Sequence, residues 1–517
     1  MGIRDKIITR AETVGEVVDA VASAVSPGWA EKRTASRRRT EILASYEAGS
    51  KRRRVSKWPG EAKSVNTETR RSLRTLRFRS RDMVENSYWA RRGVSVLQRN
   101  VVGNGIRPTA KDSPELDALL SLLCDRQLLD VRGRDTLYAL QANVMHAVAE
   151  SGECLVLRRR LSRSEMRRRG TSIPLQLKVI EPDHLDETRD GTTIDGNRLV
   201  QGVEIDKDAR PVAYWLYESH PGDMTSWRDV KSHRVPAEDV LHLFRELRPG
   251  QVRGIPELST VLMKIKDFHE YDDAQLMKQK IAACFGAFVH TSDSAAHQHQ
   301  WLMDDDGNPI PAPERIGPGT VEYLQPGEEI SFADPPRVDG YESYYRTSAR
   351  AIASGLDITY EALTNDYSQV SFTSGRMGWL EMHRAIKQWQ WHVLIPQLCF
   401  GVERWIKEAA MLAGYPVSDR PWKWTPPRRE MIDPVRETNA AISGIRAGIS
   451  TRPDEIEKRG RDVEEVDEEI KRNNERIDEF GFILDSDPRK TTQAGLTPTI
   501  VTEMARQEER AQREDDE

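Results

Sequence analysis

His269 opens the stretch HEYDD, which begins like the HExxH motif of a zinc-dependent hydrolase. That motif needs a second histidine one helical turn on, so that two imidazoles reach one metal. Asp273 stands in its place. HAVAESGEC, residues 146–154, has neither the His-x-Glu nor the Pro-Cys-x-x-Cys of a zinc deaminase. No glycine is followed directly by lysine anywhere, which removes the phosphate-cradling P-loop. GNG at residues 103–105 lacks the third glycine of a dinucleotide fingerprint and does not lead from a strand into a helix. His297 and His299 lie in a polar stretch with no Cys or acidic partner at ligand spacing, and read as surface loop. Asp272 and Asp273 are adjacent in a helical pattern, so they point to different faces and read as solvated carboxylates. Every constellation lacks a residue that its chemistry needs. The expectation is a protein that is not an enzyme, with no cofactor and no metal.

One stretch stands out for a different reason. Residues 364–376, TNDYSQVSFTSGR, form a polar run between two helical patterns. Connections between helices usually take about 2–8 residues, so thirteen is long. From Thr364 to Ser374 there is no Lys or Arg, Asp366 is acidic, and Tyr367 and Phe372 supply bulk. Before it, residues 341–363 place Tyr345, Ala349, Ile352 and Leu356 on one helical stripe. After it, residues 377–411 carry Trp379, Met382, Ile386, Trp389 and Val393 at 3–4 spacing, with Pro396 expected to kink the helix. Trp379, Trp389 and Trp391 read as packing. Residues 257–285 hold no proline or glycine for 29 residues, which is about 43 Å of helix at 1.5 Å per residue. Charged and apolar positions are interleaved around that helix, which suits a bundle better than one face laid on a core.

The remaining elements follow from the same periodicities. Residues 3–25 read as an amphipathic helix, residues 32–57 as an extended basic arm, and residues 67–107 as helix ending at GNG, with Ala90, Val94, Leu97 and Val101 on one face. Residues 137–242 mix a helix with alternating strands (CLVLRR, LQLKVIEP, VEIDKDARPVAYWLYE, VLHLFRE), and DKDARP suits a hairpin turn. Two strands are expected around Pro326-Gly327. Residues beyond 431 read as charged helices and then an acidic tail. At 517 residues, two to four domains are expected. Charged residues make up 31% and the net charge is −5. That balance hides an asymmetry, because residues 31–107 carry 21 Lys/Arg against 7 Asp/Glu and residues 454–517 carry 11 against 21. A basic front and acidic end point to nucleic acid or to ordered contact between copies, as well as to a merely solvated surface. The four cysteines, Cys124, Cys154, Cys284 and Cys399, are far apart and read as free thiols. No run is long enough to cross a membrane, charges interrupt the apolar N-terminus as they would not in a signal peptide, and a soluble product made in the cytosol is expected.

In this order the segments resemble the lambda-type bacteriophage portal proteins. The likeness is carried by LRTLRFRSRDMVENSYWARRGVSVLQRNVVGNGIRP, by RGIPELSTVLMKIKDFHEYDDAQLMKQKIAACFGAFV, by LQPGEEISFADPPRVDGYESYYRTSARAIASGLDITYEALTNDYSQVSFTSGRMGWLE and by GISTRPDEIEKRGRD, together covering roughly residues 40–475. The resemblance implies an α+β, mainly helical portal fold with an α/β wing, stem helices, a β clip, a tunnel loop and a helical crown. It divides the chain into an N-terminal helix and basic arm (1–66), the wing (67–254), a stem helix (255–286), the clip (287–337), a return stem helix (338–363), the tunnel loop (364–376), a long kinked helix (377–430), the crown (431–485) and an acidic tail (486–517). It implies a dodecameric ring at one capsid vertex of the virion, assembled in the host cytoplasm. The ring's channel would pass double-stranded DNA without regard to sequence, and it would meet the terminase large subunit, head–tail connector or adaptor proteins, and major capsid and scaffold proteins, with no membrane partner. Thr364, Asn365, Asp366, Tyr367, Ser368, Gln369, Val370, Ser371, Phe372, Thr373 and Ser374 would form the loop at the channel. A loop without cations would touch sliding DNA weakly, since sequence-independent affinity comes mostly from Lys and Arg on phosphates. Lys264, Lys266, Lys278 and Lys280 could face the channel, lie outside it, or pair with Asp267, Glu270 and Asp273 of a neighbouring copy. Lys264 and Lys266 differ by about 200° around a helix, so the four cannot share one face. Arg37, Arg38, Arg39, Arg52, Arg53 and Arg54 are expected in an arm that touches an adjacent subunit. The alternative is a basic nucleic-acid-binding protein that acts through residues 31–107.

Overall fold

The computed structural model describes residues 63–110, 113–223, 231–283, 287–291, 328–332, 340–428, 430–482, 484 and 489. The helix expected at 3–25, the six arginines of the arm, Cys284, most of the clip and the acidic tail other than Arg489 lie outside the described residues. The chain divides into two compact units, residues 1–68 and 69–517; the architecture below is that of the second, an α+β and mainly helical body.

Helices α1 (Leu73–Asn86) and α2 (Tyr88–Val102) meet at Ser87, whose extended backbone breaks the run. Ala90, Val94, Leu97 and Val101 of α2 are all buried, as their spacing predicts. β1 (Arg107–Thr109) follows, then α3 (Pro114–Asp125) and α4 (Leu137–Ser151), which packs against α2. Strands β2 (Glu153–Arg160) and β3 (Leu175–Ile180), separated by the short helix α5 (Arg163–Arg169), form an antiparallel sheet with β9 (Val240–Phe244) in the order β3-β2-β9. Between β3 and β9, β4 (Gly191–Thr192), β5 (Arg198–Val200), β6 (Val203–Ile205), β7 (Pro211–Tyr217) and β8 (Ser232–Pro236) make an antiparallel meander. DKDARP is the β6–β7 turn: the Asp206 carboxylate accepts from the amides of Asp208 and Arg210, and Ala209 adopts a left-handed backbone, φ +62°. Cys124, Cys154 and Cys399 are free and buried, and burial raises the Cys124 and Cys154 thiols to about 12.

The long helix is shorter than its sequence predicts. Glu257–Thr260 forms a tight 3-10 turn, and the α-helix proper, α6, runs Leu262–Ala283, 22 residues or about 33 Å. Leu262, Ile265 and Phe268 bury its first half, while Leu276 and Met277 are exposed in its second. Beyond the antiparallel pair β10 (Ala287–Thr291) and β11 (Glu328–Phe332), the return segment is two helices rather than one, α7 (Tyr341–Gly355) and α8 (Tyr360–Thr364). The break falls where Asp357 takes a left-handed backbone, φ +54°, and where Thr359 starts a new helix by accepting from the Ala362 amide. A ladder of rings joins α6 to α7: Tyr271 and Tyr344 lie 4.1 Å apart, Phe268 and Tyr345 5.4 Å, and Tyr341 donates to Asp272 at 2.9 Å.

From Phe372 to Leu412 the chain is helical throughout, as α9 (Phe372–Gln388), a wide π-type segment over Trp389–Cys399, and α10 (Phe400–Leu412). Proline normally kinks a helix because its ring strikes the carbonyl four residues back. Here the helix widens around Pro396 instead, and the Phe400 amide bonds to Ile395 O, five residues back. Trp389 is buried as its spacing predicts, but Trp391 is 54% exposed and is not packing. β12 (Lys423–Thr425) then pairs with β1, joining segments more than 300 residues apart. Three capped helices complete the described chain: α11 (Pro434–Arg446), α12 (Arg452–Lys458) and α13 (Val463–Phe480). Of their residues only Ile477 is buried.

Candidate nucleic-acid interface at the α8–α9 loop

The polar run is not an open loop over its whole length. Thr364 is the last residue of α8 and Phe372 the first of α9, which leaves residues 365–371 as connector. Its two ends are fixed by side-chain caps. Ser371 Oγ accepts from the Ser374 amide at 3.2 Å, and the Ser371 amide donates back to Ser374 Oγ at 3.1 Å, a reciprocal box built from two serines. At the other end Asn365 adopts the left-handed conformation, φ +58°, that commonly closes a helix. The guanidinium of Arg92, on α2, donates to Asn365 Oδ1 at 2.7 Å and to the Ala362 carbonyl at 2.9 Å. The loop is therefore anchored to α2 at its first residue.

Asp366 organises the turn. Its carboxylate accepts from the Ser368 amide at 3.0 Å and hydroxyl at 2.6 Å, and from the Tyr360 hydroxyl at 2.9 Å. Those bonds, the Ser368 hydroxyl first, hold the Asp366 carboxyl down at about 2, so it is anionic at neutral pH. Tyr367 and Phe372 project with 63% and 53% of their surface exposed. Behind the loop, between α2 and α9, lies a groove of about 470 Å³. Val96, Trp379 and Met382 line it together with Arg92, Arg99, Glu361 and Arg376, of which Arg99 and Arg376 are exposed.

Residues 51–390 match the family described as phage portal protein, lambda family. The chain belongs to that family. It is a family of structural rather than enzymatic proteins. Among named relatives, a probable portal protein of Halomonas phage phiHAP-1 is 26% identical over 470 residues, covering 86% of this chain and 89% of the relative. Portal protein B of Escherichia phage lambda is 24% identical over 336 residues, covering 56% of this chain and 60% of the relative. Among solved structures, the chain is similar to an HK97 family phage portal protein from Corynebacterium diphtheriae, with 12% identity, a TM-score of 0.30, and coverage of 69% of this chain and 96% of that one.

The four lysines of α6 in this portal-family chain are dispersed. Lys264 sits over the Tyr344 ring at 5.0 Å, against α7. Lys266 pairs with Glu270 at 3.3 Å on an exposed face. Lys278 is half-buried and Lys280 exposed. The structure brings none of them to the loop.

A buried ion cluster among the described residues carries no sequence motif. Glu153, fully buried at the start of β2, accepts from Arg253 Nε and Nη2 at 3.0 and 2.6 Å, Arg77 Nη2 at 3.0 Å, His242 Nε2 at 2.9 Å and the Gly254 amide at 2.8 Å. Arg77 and Arg253 also reach Glu187, at 3.0 and 3.2 Å, and Arg77 reaches Asp183 at 3.4 Å. Burial would push the Glu153 carboxyl up, but the Arg253 charge and the His242 hydrogen bond outweigh it, and the carboxyl lies far below the usual range. Nothing in the spacing of residues 77, 153, 187 and 253 announces the cluster; the one local signal is an acidic residue opening the apolar run CLVL. Beside it, Glu181, Asp183 and His220 offer ligand atoms within 4.8 Å of one another. Arg81 Nη2 already bonds both carboxylates, at 3.0 and 2.6 Å, so a guanidinium neutralises the charge that a cation would meet.

Proposed function

We propose that the chain assembles as a closed ring of about twelve copies at a capsid vertex and that the α8–α9 loop of each copy faces the channel through which double-stranded DNA enters and leaves. The observation that carries the reading is the loop itself, in a chain of the portal family. It has no Lys or Arg between Thr364 and Ser374, an anionic Asp366 at its turn, and two exposed rings at its flanks. Such a surface excludes tight phosphate binding, which needs cations, while its anchoring by Arg92 and by serine caps resists displacement. The same ring gives the terminase a docking platform during packaging and the connector proteins one afterwards. The product works in the virion and is assembled in the host cytoplasm.

The test replaces residues 367–370 with Gly-Ser-Gly-Ser, which leaves Asp366 and the serine caps intact. Native mass spectrometry and negative-stain images should show rings as in the unaltered protein, while particles package less DNA or lose it after packaging. Loss of rings would make the loop an assembly element, and full packaging by intact rings would remove its role at the channel.

A further inference from the structure

The end of α13 carries an uncovered aromatic cluster. Phe480 and Phe482 stack with centroids 5.7 Å apart and are 59% and 56% exposed. Leu484 beside them is exposed as well. Acidic residues precede the rings, and two of them, Glu475 and Glu479, have no ion pair among the described residues. The groove behind the α8–α9 loop has the opposite character, because Val96, Trp379 and Met382 give it apolar surface and three arginines, Arg92, Arg99 and Arg376, outnumber its one acidic residue, Glu361. Neither Arg99 nor Arg376 has an ion pair among the described residues. A phosphate backbone would use the cations and leave the apolar lining wet, whereas an acidic segment tipped with aromatics uses both.

We propose that the Phe480–Phe482 tip of one copy seats in the groove of the next, with Glu475 and Glu479 meeting Arg99 and Arg376. The proposal rests on the ring reading above. Within one copy both surfaces are open, and α13 is held by its contacts with α12 and by the burial of Ile477. A patch that fits a different patch on an identical neighbour makes a head-to-tail contact, the kind that repeats around an axis and gives a ring where its rotation closes. Covering the two rings removes on the order of 100 Å² apiece from water, about half of what an aromatic side chain buries in a core. The contact would also place each crown end against the root of the neighbour's channel loop.

The test places p-benzoylphenylalanine at position 482, a change that keeps an aromatic ring on an exposed site. The purified full-length chain is irradiated, and the same sample is sized by native mass spectrometry. The expected result is a ladder of covalent multimers whose adducts map to residues 92–100 or 376–382 of a second copy. In that background Arg99→Glu with Arg376→Glu should abolish the ladder, and adding Glu475→Arg with Glu479→Arg should restore it. Rings without the adduct, or adducts elsewhere or within one copy, would overturn the contact and leave the ring reading standing. Absence of rings together with absence of adducts would overturn both.

Discussion

Replacing Glu153 with alanine removes the common acceptor of Arg77, Arg253, His242 and the Gly254 amide. Both arginine side chains are almost wholly buried, so water cannot readily replace the carboxylate. Two neighbours limit the damage, because Glu187 still pairs with both guanidinium groups and Asp183 with Arg77. The two buried guanidinium groups, Arg77 and Arg253, would go from three carboxylate partners (Glu153, Glu187 and Asp183) to two. Breaking a buried pair by removing one partner typically costs about 3–5 kcal/mol, and for a body of this size that lowers Tm by about 3–5 °C. The assay is denaturant unfolding of unassembled chain, with the slope compared so that only stability is read. A pH series fixes the cause. The folded Glu153 carboxyl titrates below its unfolded counterpart, whose pKa is about 4.3. Its contribution is therefore complete above that value and fades as pH falls through the acid range. The gap between wild type and Glu153→Ala should be full at pH 7 and shrink towards pH 3, with Glu153→Gln in between. A variant within about 0.5 kcal/mol of wild type at pH 7, the ordinary scatter of surface substitutions, would refute the cluster as a stabilising joint.

Two further substitutions test the frame around it. Arg92→Ala loses two charge-assisted hydrogen bonds to the loop, worth about 1.5–3 kcal/mol each at most, and amide exchange over residues 365–368 should quicken by roughly 10–100-fold while Tm moves little; unchanged exchange would mean that the serine caps alone hold the loop. Gly254→Ala puts a Cβ 2.1 Å from the Gly152 carbonyl oxygen and 2.7 Å from Phe244 Cβ, backbone that cannot move aside, and thermal melts should show a loss of at least about 3 kcal/mol. Gly378→Ala, on α9, meets only Thr359 Cγ2 at 3.4 Å and should instead gain about 0.5–1 kcal/mol; equal effects of the two would show that the close approach at Gly254 is unimportant.

What could be read from the sequence was whatever repeats locally. The stripe Ala90, Val94, Leu97, Val101 and the stripe Met382, Ile386, Trp389, Val393 are buried as their spacing requires, because a helix turns apolar periodicity directly into one covered face. The β6–β7 hairpin was legible for a similar reason, since its turn residues are adjacent. Errors came where a local signal had two physical outcomes. Pro396 announces a disturbed helix, but whether the chain bends or widens depends on what surrounds it. The polar run at 364–376 reads as one loop because its serines and threonines serve equally well in loops and as helix caps. Thr359 and Ser371 are caps here, and they convert almost half of the run into helix.

The ion cluster was illegible for a stronger reason. Its bonded partners are 66 to 110 residues apart along the chain, so no periodicity could link them, and each alone looks like an ordinary surface charge. Their position explains why charge is tolerated there. Gly152 ends α4 with φ +88° and leaves no room for a Cβ against the backbone of Ile255 and Pro256. Gly254 is equally tight against Gly152. At that junction the start of β2 and the segment leading into α6 approach backbone to backbone, and apolar side chains have no space to interlock. Glu153 fastens both segments, through the Gly254 amide and the Arg253 side chain, and Arg77 adds α1 to the same acceptor. The loop uses the reverse arrangement. Its polar groups bond one another and Arg92, so that little charge besides Asp366 faces outward from residues 365–371. In a ring that passes DNA, force on the loop would travel through Arg92 to α2, and force on α6 through Arg253 to the sheet and α1. Arg92 and Arg77 sit on helices joined at Ser87, which makes α1–α2 the element through which the loop and α6 would communicate.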